Sequence, residues 1–414
     1  MKNTFLVLTV MITLISQSTL VPITLAEKPD NIPVIDSKND RIQNQWIAVL
    51  KSDSDPNENS QNARANGAEI NHVYSNTIKG FSFKANNDKI LGKILQNPNI
   101  LYVEPDYYVS TDSQTISTGI SRIGSTTNSI KSGDGQGSVD VDIAIIDTGI
   151  DLTHPDLNVY AQKSLISGIS TANDDNGHGT HVAGIAAAKD DSNGVVGVAP
   201  GARLWAIKVL DKTGSGSLSD VIAGVDYVAS KSFYIEVANL SLSTSNSLSL
   251  NSSIQKAVAK GITFVVAAGN NKMDASKISP ANSPDVIAVS AIVDTDGKCG
   301  GMGQATSYGP DDSFASFSNY GSVIDIAAPG VAIYSTYKTG AYATMTGTSQ
   351  ASPHVAGAAA LIKSQNSALS PSQIKDILLS NSVTYGTVCD GNSLGYFTGD
   401  PDTTREPLLN TSKY

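Results

Sequence analysis

The sequence predicts an α/β fold, a parallel sheet with helices on both faces, preceded by a small ferredoxin-like α+β domain. Three observations carry this. Four continuous apolar runs, over residues 141–146, 203–210, 261–268 and 286–293, read as strands buried on both faces. Helical segments over 178–188, 217–231 and 252–260 alternate with them, as in a parallel sheet covered on each side. Upstream, residues 41–109 follow the order β, weak α, β, β, α, β. With 414 residues, 40% of them hydrophobic, the chain can build two or three domains.

Taken in order, Met1 and Lys2 precede an apolar stretch from Phe5 to Ile15, and Thr24-Leu25-Ala26 offers a cleavage site. Residues 1–26 therefore read as a secretory signal. Ser16, Gln17, Ser18 and Pro22 interrupt the run before it is long enough to span a bilayer. The product is expected to be secreted and extracellular, with no membrane association after signal removal. Residues 27–40, with Pro29 and Pro33, read as linker. Strands are expected at 45–50, 73–74, 80–83 and 100–103. The polar stretch 52–66 is at most partly helical, and a short helix spans 87–96 until Pro98 stops it. The pattern changes near Ser113, and residues 386–414 read as a tail beyond a domain at 113–385.

Charge narrows the function. Lys plus Arg is 28 and Asp plus Glu is 38, so 28 − 38 = −10. That balance argues against a nucleic-acid partner, which needs a basic face, and is compatible with cation binding. Two cysteines, Cys299 and Cys389, exclude a disulfide-rich scaffold and a four-cysteine zinc site. They can pair in an oxidising compartment, but the sequence does not show that they meet.

Sites on such sheets sit at the carboxyl ends of the strands. Asp147, in Asp147-Thr148-Gly149, directly follows the first buried strand. An aspartic-protease dyad would need a second such motif, which is absent. Asn176-Gly177-His178-Gly179-Thr180-His181 opens a helix, and its glycines leave His178 room to reach a substrate. A metal reading of His178 and His181 would want a Glu between them, where Gly179 and Thr180 stand. His181 and His354 read as core histidines. Ser349, in Gly347-Thr348-Ser349-Gln350-Ala351-Ser352-Pro353-His354, lies at a helix N-terminus that favours a developing anion. Asn270, after Ala267-Ala268-Gly269, can offer a side-chain N–H to an oxyanion.

Together these motifs, in the order Asp, His, Ser, resemble the subtilisin family of serine proteases over about residues 113–382. An esterase would place its acid and histidine after the serine. The resemblance implies a catalytic Asp147-His178-Ser349 triad with Asn270 at the oxyanion. It implies a cleft lined by Gly214, Ser215, Gly216, Ser241, Leu242, Ser243, Ala268 and Gly269 that binds extended peptides with broad specificity. Residues 41–109 resemble the family's inhibitory propeptide. That implies a zymogen in which residues 27–112 act as chaperone and inhibitor, with autocleavage between Tyr108 and Gln114. A monomer is expected, with protein or peptide substrates. A non-catalytic peptide-binding relative is the alternative, and it would be supported by a missing triad member.

The same resemblance implies structural calcium. One ion is expected on the side chains of Gln114, Asp156 and Asp191 with the carbonyls of Lys189, Asn193 and Val195. A second set is Asp325 with the carbonyls of Pro284 and Val286. Departures from the family pattern are Ser243 and Thr244 where glycines are usual, Ile278 near the pocket floor, and Gln350 where many relatives carry an oxidisable Met. The first two suggest a preference for small or medium apolar side chains before the cut. The third suggests resistance to peroxide.

Overall fold

A computed structural model describes residues 41–107 and 114–414. The expected signal, linker and most of the expected processing region lie outside the described residues. Residues 41–107 belong to one compact unit and 114–414 to a second.

The first unit is a four-stranded antiparallel sheet ordered Glu69–Tyr74, Gly80–Lys84, Arg41–Leu50, Ile100–Tyr107. Helices Pro56–Ala65 and Asp88–Ile94 complete the split β-α-β-β-α-β pattern. The first helix forms despite its polarity because Pro56 sits in its first turn and the Asp55 side chain accepts from the Asn57 N–H. Phe81, Phe83, Ala48, Val103 and Ile94 fill the core.

The second unit is built on a mostly parallel sheet. Its order is Ser313–Phe314, Ile287–Val293, Thr263–Ala267, Val237–Leu240, Asp142–Asp147, Arg203–Lys208, Val159–Ser164, and Ile326–Pro329 also pairs with Ile287–Val293. Among the described residues, only Ser313–Phe314 runs antiparallel in this sheet. The four expected strands stand here with ends moved by one or two residues. Val237–Leu240, between two of them, adds a fifth buried strand that the apolar runs did not announce, being only four residues long. Helices His178–Ala187 and Thr348–Gln365 cover one face, and Leu218–Ser230 and Leu248–Val258 the other, each over its own apolar cluster. Leu248–Val258 starts four residues before the expected helix because Ser247 caps it, accepting from the Leu250 N–H.

The last residues are not a separate tail. Leu408 exchanges backbone hydrogen bonds with Val383 and sits in a bridge with Ala327; Leu408 and Leu409 are fully buried. Cys299 and Cys389 form a disulfide with 5.5 Å between Cα atoms, tying the loop after Val293 to this segment.

Candidate active site

Asp147 ends the central strand with its side chain fully buried. Its Oδ1 lies 2.7 Å from Nδ1 of His178, whose imidazole is only one-fifth exposed. The two meet because the helix that carries His178 docks tightly on the turn after the strand. A Cβ on Gly179 would stand 2.1 Å from the Gly149 carbonyl oxygen, so only glycine permits this approach.

Asp174, which the sequence reading passed over, anchors the helix start. Its Oδ1 accepts from Thr148 Oγ1 and from the Asn176 and Gly177 N–H groups, and its Oδ2 from Thr180 N–H and Oγ1. Thr148 in turn accepts from the Gly179 N–H. Burial pushes the His178 pKa down, but the Asp147 carboxylate beside it, with Asp174 behind, outweighs that and holds it above the ordinary imidazole value.

Ser349 stands in the first turn of Thr348–Gln365, and its hydroxyl donates to the Ser241 carbonyl at 3.1 Å. Asn270 orients itself through its own oxygen: Oδ1 accepts from the Thr348 N–H at 2.9 Å and from Thr348 Oγ1 at 2.8 Å. A backbone N–H can only donate, so the Asn270 Nδ2 faces the other way. A Cβ on Gly347 would lie 3.1 Å from Gln350 Oε1, 3.3 Å from Asn270 Nδ2 and 3.7 Å from the Ser349 nitrogen, so these two donors stand close together beside a glycine that keeps the approach clear.

Beside His178 opens a cleft of about 560 Å³. Gly214, Ser215, Gly216, Ser241, Leu242 and Ser243 line it, and Leu210, Leu218, Val221 and Leu250 add apolar walls. Ala268 and Gly269 do not line it. Both are buried, and their carbonyls accept from Asn319 Nδ2 and Asn319 N–H. Ile278 also lies outside the lining, in a short strand paired with Thr244–Ser245. Gln350 is buried, and Met345 lines the cleft.

His181 and His354 are structural. The His181 Nε2 bridges the Ile333 and Ala343 carbonyls, and the His354 Nδ1 meets the Gln350 carbonyl. Burial pushes both pKa values down to about 4, which keeps them neutral.

Residues 138–404, more than half of the chain, match the profile of the subtilase family. The chain belongs to the subtilase family. Residues 23–112 match the profile described as peptidase inhibitor I9. Relatives of this subtilase include the alkaline protease of Alkalihalobacillus alcalophilus, 42% identical over 293 residues, which are 70% of this chain and 71% of that protein. Subtilisin E of Bacillus subtilis strain 168 is 40% identical over 310 residues, 72% of this chain and 76% of its own. A solved cold-adapted subtilisin-like serine proteinase superposes with a TM-score of 0.58 at 33% identity, covering 73% of this chain and 99% of that one. The protein is thus a subtilisin-type serine endopeptidase that carries an inhibitor-type propeptide, as an autoprocessed zymogen does.

Of the subtilase's expected first calcium set, Gln114 and Asp156 meet the carbonyl-bearing loop, while Asp191 is exposed and accepts from the Asn193 N–H. The Lys189, Asn193 and Val195 carbonyls converge on the Gln114 amide at 2.7, 3.1 and 3.0 Å. The Gln114 Oε1 and Asp156 Oδ1 are buried without a hydrogen-bond partner. Burial pushes the Asp156 carboxyl up to about 6, and nearby Asp191 adds repulsion. Converging carbonyls and orphaned buried oxygens are a donor set suited to a hard cation.

The second expected set does not fit calcium. The Lys375 Nζ lies 2.7 Å from Asp325 Oδ1 and donates to the Val286 carbonyl at 2.8 Å. An ammonium from the helix Pro371–Asn381 thus takes the place of an ion.

Proposed function

We propose that Asp147, His178 and Ser349 are the catalytic triad of this endopeptidase, with Asn270 and the Ser349 N–H as oxyanion donors. The observation that carries the reading is the 2.7 Å Asp147–His178 contact beside a cleft lined by Ser241, to whose carbonyl the Ser349 hydroxyl donates. Rotation about the Ser349 side chain releases its hydroxyl from Ser241 and turns it toward His178. The His178 Nε2 then takes the proton while Oγ bonds to the scissile carbonyl carbon. The carbonyl π pair moves onto oxygen, between Asn270 Nδ2 and the Ser349 N–H. As the tetrahedral species collapses, the C–N bond breaks and His178 gives its proton to the leaving amine. Water, deprotonated by His178, then attacks the acyl carbon, and the acyl C–Oγ bond breaks as His178 returns that proton to Ser349 Oγ. Asp147 keeps Nδ1 protonated throughout and stabilises the imidazolium.

An extended substrate would lie along Gly214–Gly216 and Ser241–Ser243, held mainly through backbone hydrogen bonds, which supports broad specificity. The apolar walls from Leu210, Leu218, Val221, Leu242 and Leu250 favour apolar side chains in the cleft. Gln114, Asp156 and Asp191 with the Lys189, Asn193 and Val195 carbonyls would hold a structural calcium ion. The inhibitor-type segment would act on the chain's own catalytic unit. The signal-like residues 1–26 favour export, and no helix among the described residues is long and apolar enough to cross a membrane.

Casein hydrolysis by the processed parent and by Ser349→Ala tests the triad. The reading requires loss of nearly all turnover in the variant with its folded spectrum intact. A variant that still hydrolyses casein at the parent rate overturns it.

A further inference from the structure

We propose that the neck of the loop between strands Ile287–Val293 and Ser313–Phe314 holds a second calcium ion, bound by Asp294, Asp296 and Asp311. The loop leaves the sheet at Asp294 and returns to it just after Asp311 and Asp312, so acidic residues from both ends meet where it closes. One carboxylate oxygen from each of Asp294, Asp296 and Asp311 lies within 4.8 Å of the others. Calcium holds its oxygens at about 2.3–2.6 Å, so oxygens sharing one ion lie within about 5 Å of each other.

Asp294 supplies the independent sign of a missing partner. Its side chain has no solvent exposure, and neither carboxylate oxygen accepts a hydrogen bond. The Nε of Arg122 stands 3.8 Å from Asp294 Oδ1, too far for a hydrogen bond, and three of its five N–H donors are engaged elsewhere. The Arg122 Nε donates to Asp312 Oδ1, Nη1 to the Ser393 carbonyl and Nη2 to the Gly395 carbonyl. One guanidinium thus faces both Asp294 and Asp312. Asp311 accepts from the Thr295 N–H and hydroxyl at Oδ1 and from the Gly303 N–H at Oδ2, and Asp296 accepts from the Lys298 N–H, so both carboxylates are held in place beside Asp294. A buried carboxylate with no hydrogen bond and a cation only at 3.8 Å is costly, and a divalent cation removes the cost. The donors are all oxygen, which selects a hard ion over zinc. Asp296 is exposed and gives the ion a way in.

The test counts calcium on the full chain, protected from autolysis by Ser349→Ala. Equilibrium dialysis with calcium chloride, read by atomic emission, is run on that parent, on Asp296→Ser, whose exposed position spares the fold, and on Asp294→Asn. The proposal requires each variant to bind one calcium ion fewer per chain than the parent, and the same loss in an Asp156→Asn background, where the other expected site is removed. It also requires Asp294→Asn to melt above the parent in a chelator and to gain less from added calcium. Equal calcium counts in parent and variants, or an identical calcium-induced rise in melting temperature, would overturn it and leave Asp294 as a buried protonated acid.

Discussion

Ser241 and Ser349 exchange two hydrogen bonds: the Ser349 hydroxyl donates to the Ser241 carbonyl at 3.1 Å, and the Ser241 hydroxyl donates to the Ser349 carbonyl at 2.8 Å. Pro353 explains why that carbonyl is available. It stands four residues after Ser349 inside the helix and has no N–H to give it. The proline that would weaken the helix therefore frees an acceptor at its first turn, and the cleft wall satisfies it.

Replacing Ser241 by alanine leaves the Ser349 carbonyl without that donor. The expected cost is about 1–3 kcal/mol of stability. Thermal unfolding of Ser241→Ala and its parent, both carrying Ser349→Ala to stop autolysis, measures it; equal melting temperatures would show that water or another donor replaces the hydroxyl.

The raised His178 pKa fixes the direction of the acid limb. Catalysis uses neutral imidazole, so activity falls as pH drops through the folded value, which lies above the usual value of about 6.5. Stability runs the other way. Pairing with Asp147 adds stability that is complete below the unfolded pKa and is lost as pH rises through the folded one. Asp174→Asn removes a negative charge behind His178. The kcat/KM profile of that variant is expected to move its acid limb to lower pH, and a limb that stays put or moves up would remove Asp174 from the electrostatics of the site.

Lys375 standing in for an ion has a consequence. Lys375→Ala leaves the half-buried Asp325 carboxylate and the Val286 carbonyl facing a gap, at an expected cost of about 1–3 kcal/mol. Added calcium is expected to recover more melting temperature in Lys375→Ala than in the parent. If the two respond alike, the gap does not serve as a cation site.

Much of this was legible in the sequence because it rests on local grammar. The strand ending at Asp147 is a continuous apolar run, and the glycines around His178 and before Ser349 mark close approaches that no periodic pattern would produce. The illegible parts depend on distant partners. Asp174 sits in a polar run, Asn173-Asp174-Asp175-Asn176, where nothing distinguishes one acid from the next until five donors converge on it. Lys375 looks like any exposed helix lysine until the chain brings Asp325 beside it. Leu408 and Leu409 lie in a stretch too polar to read as core, and only the fold shows that they close it. Ala268 and Gly269 were placed in the cleft by resemblance alone, whereas Asn319 draws their carbonyls inward.

The central claim is that Ser349 is a nucleophile activated by His178, itself held by Asp147. Covalent labelling by a fluorophosphonate, located by peptide mass mapping, tests it most directly. The account predicts a single label on Ser349 in the processed enzyme, slowed at least about a hundredfold in His178→Ala and absent in Ser349→Ala. Label on another residue, or equal labelling rates with and without the imidazole, would contradict it.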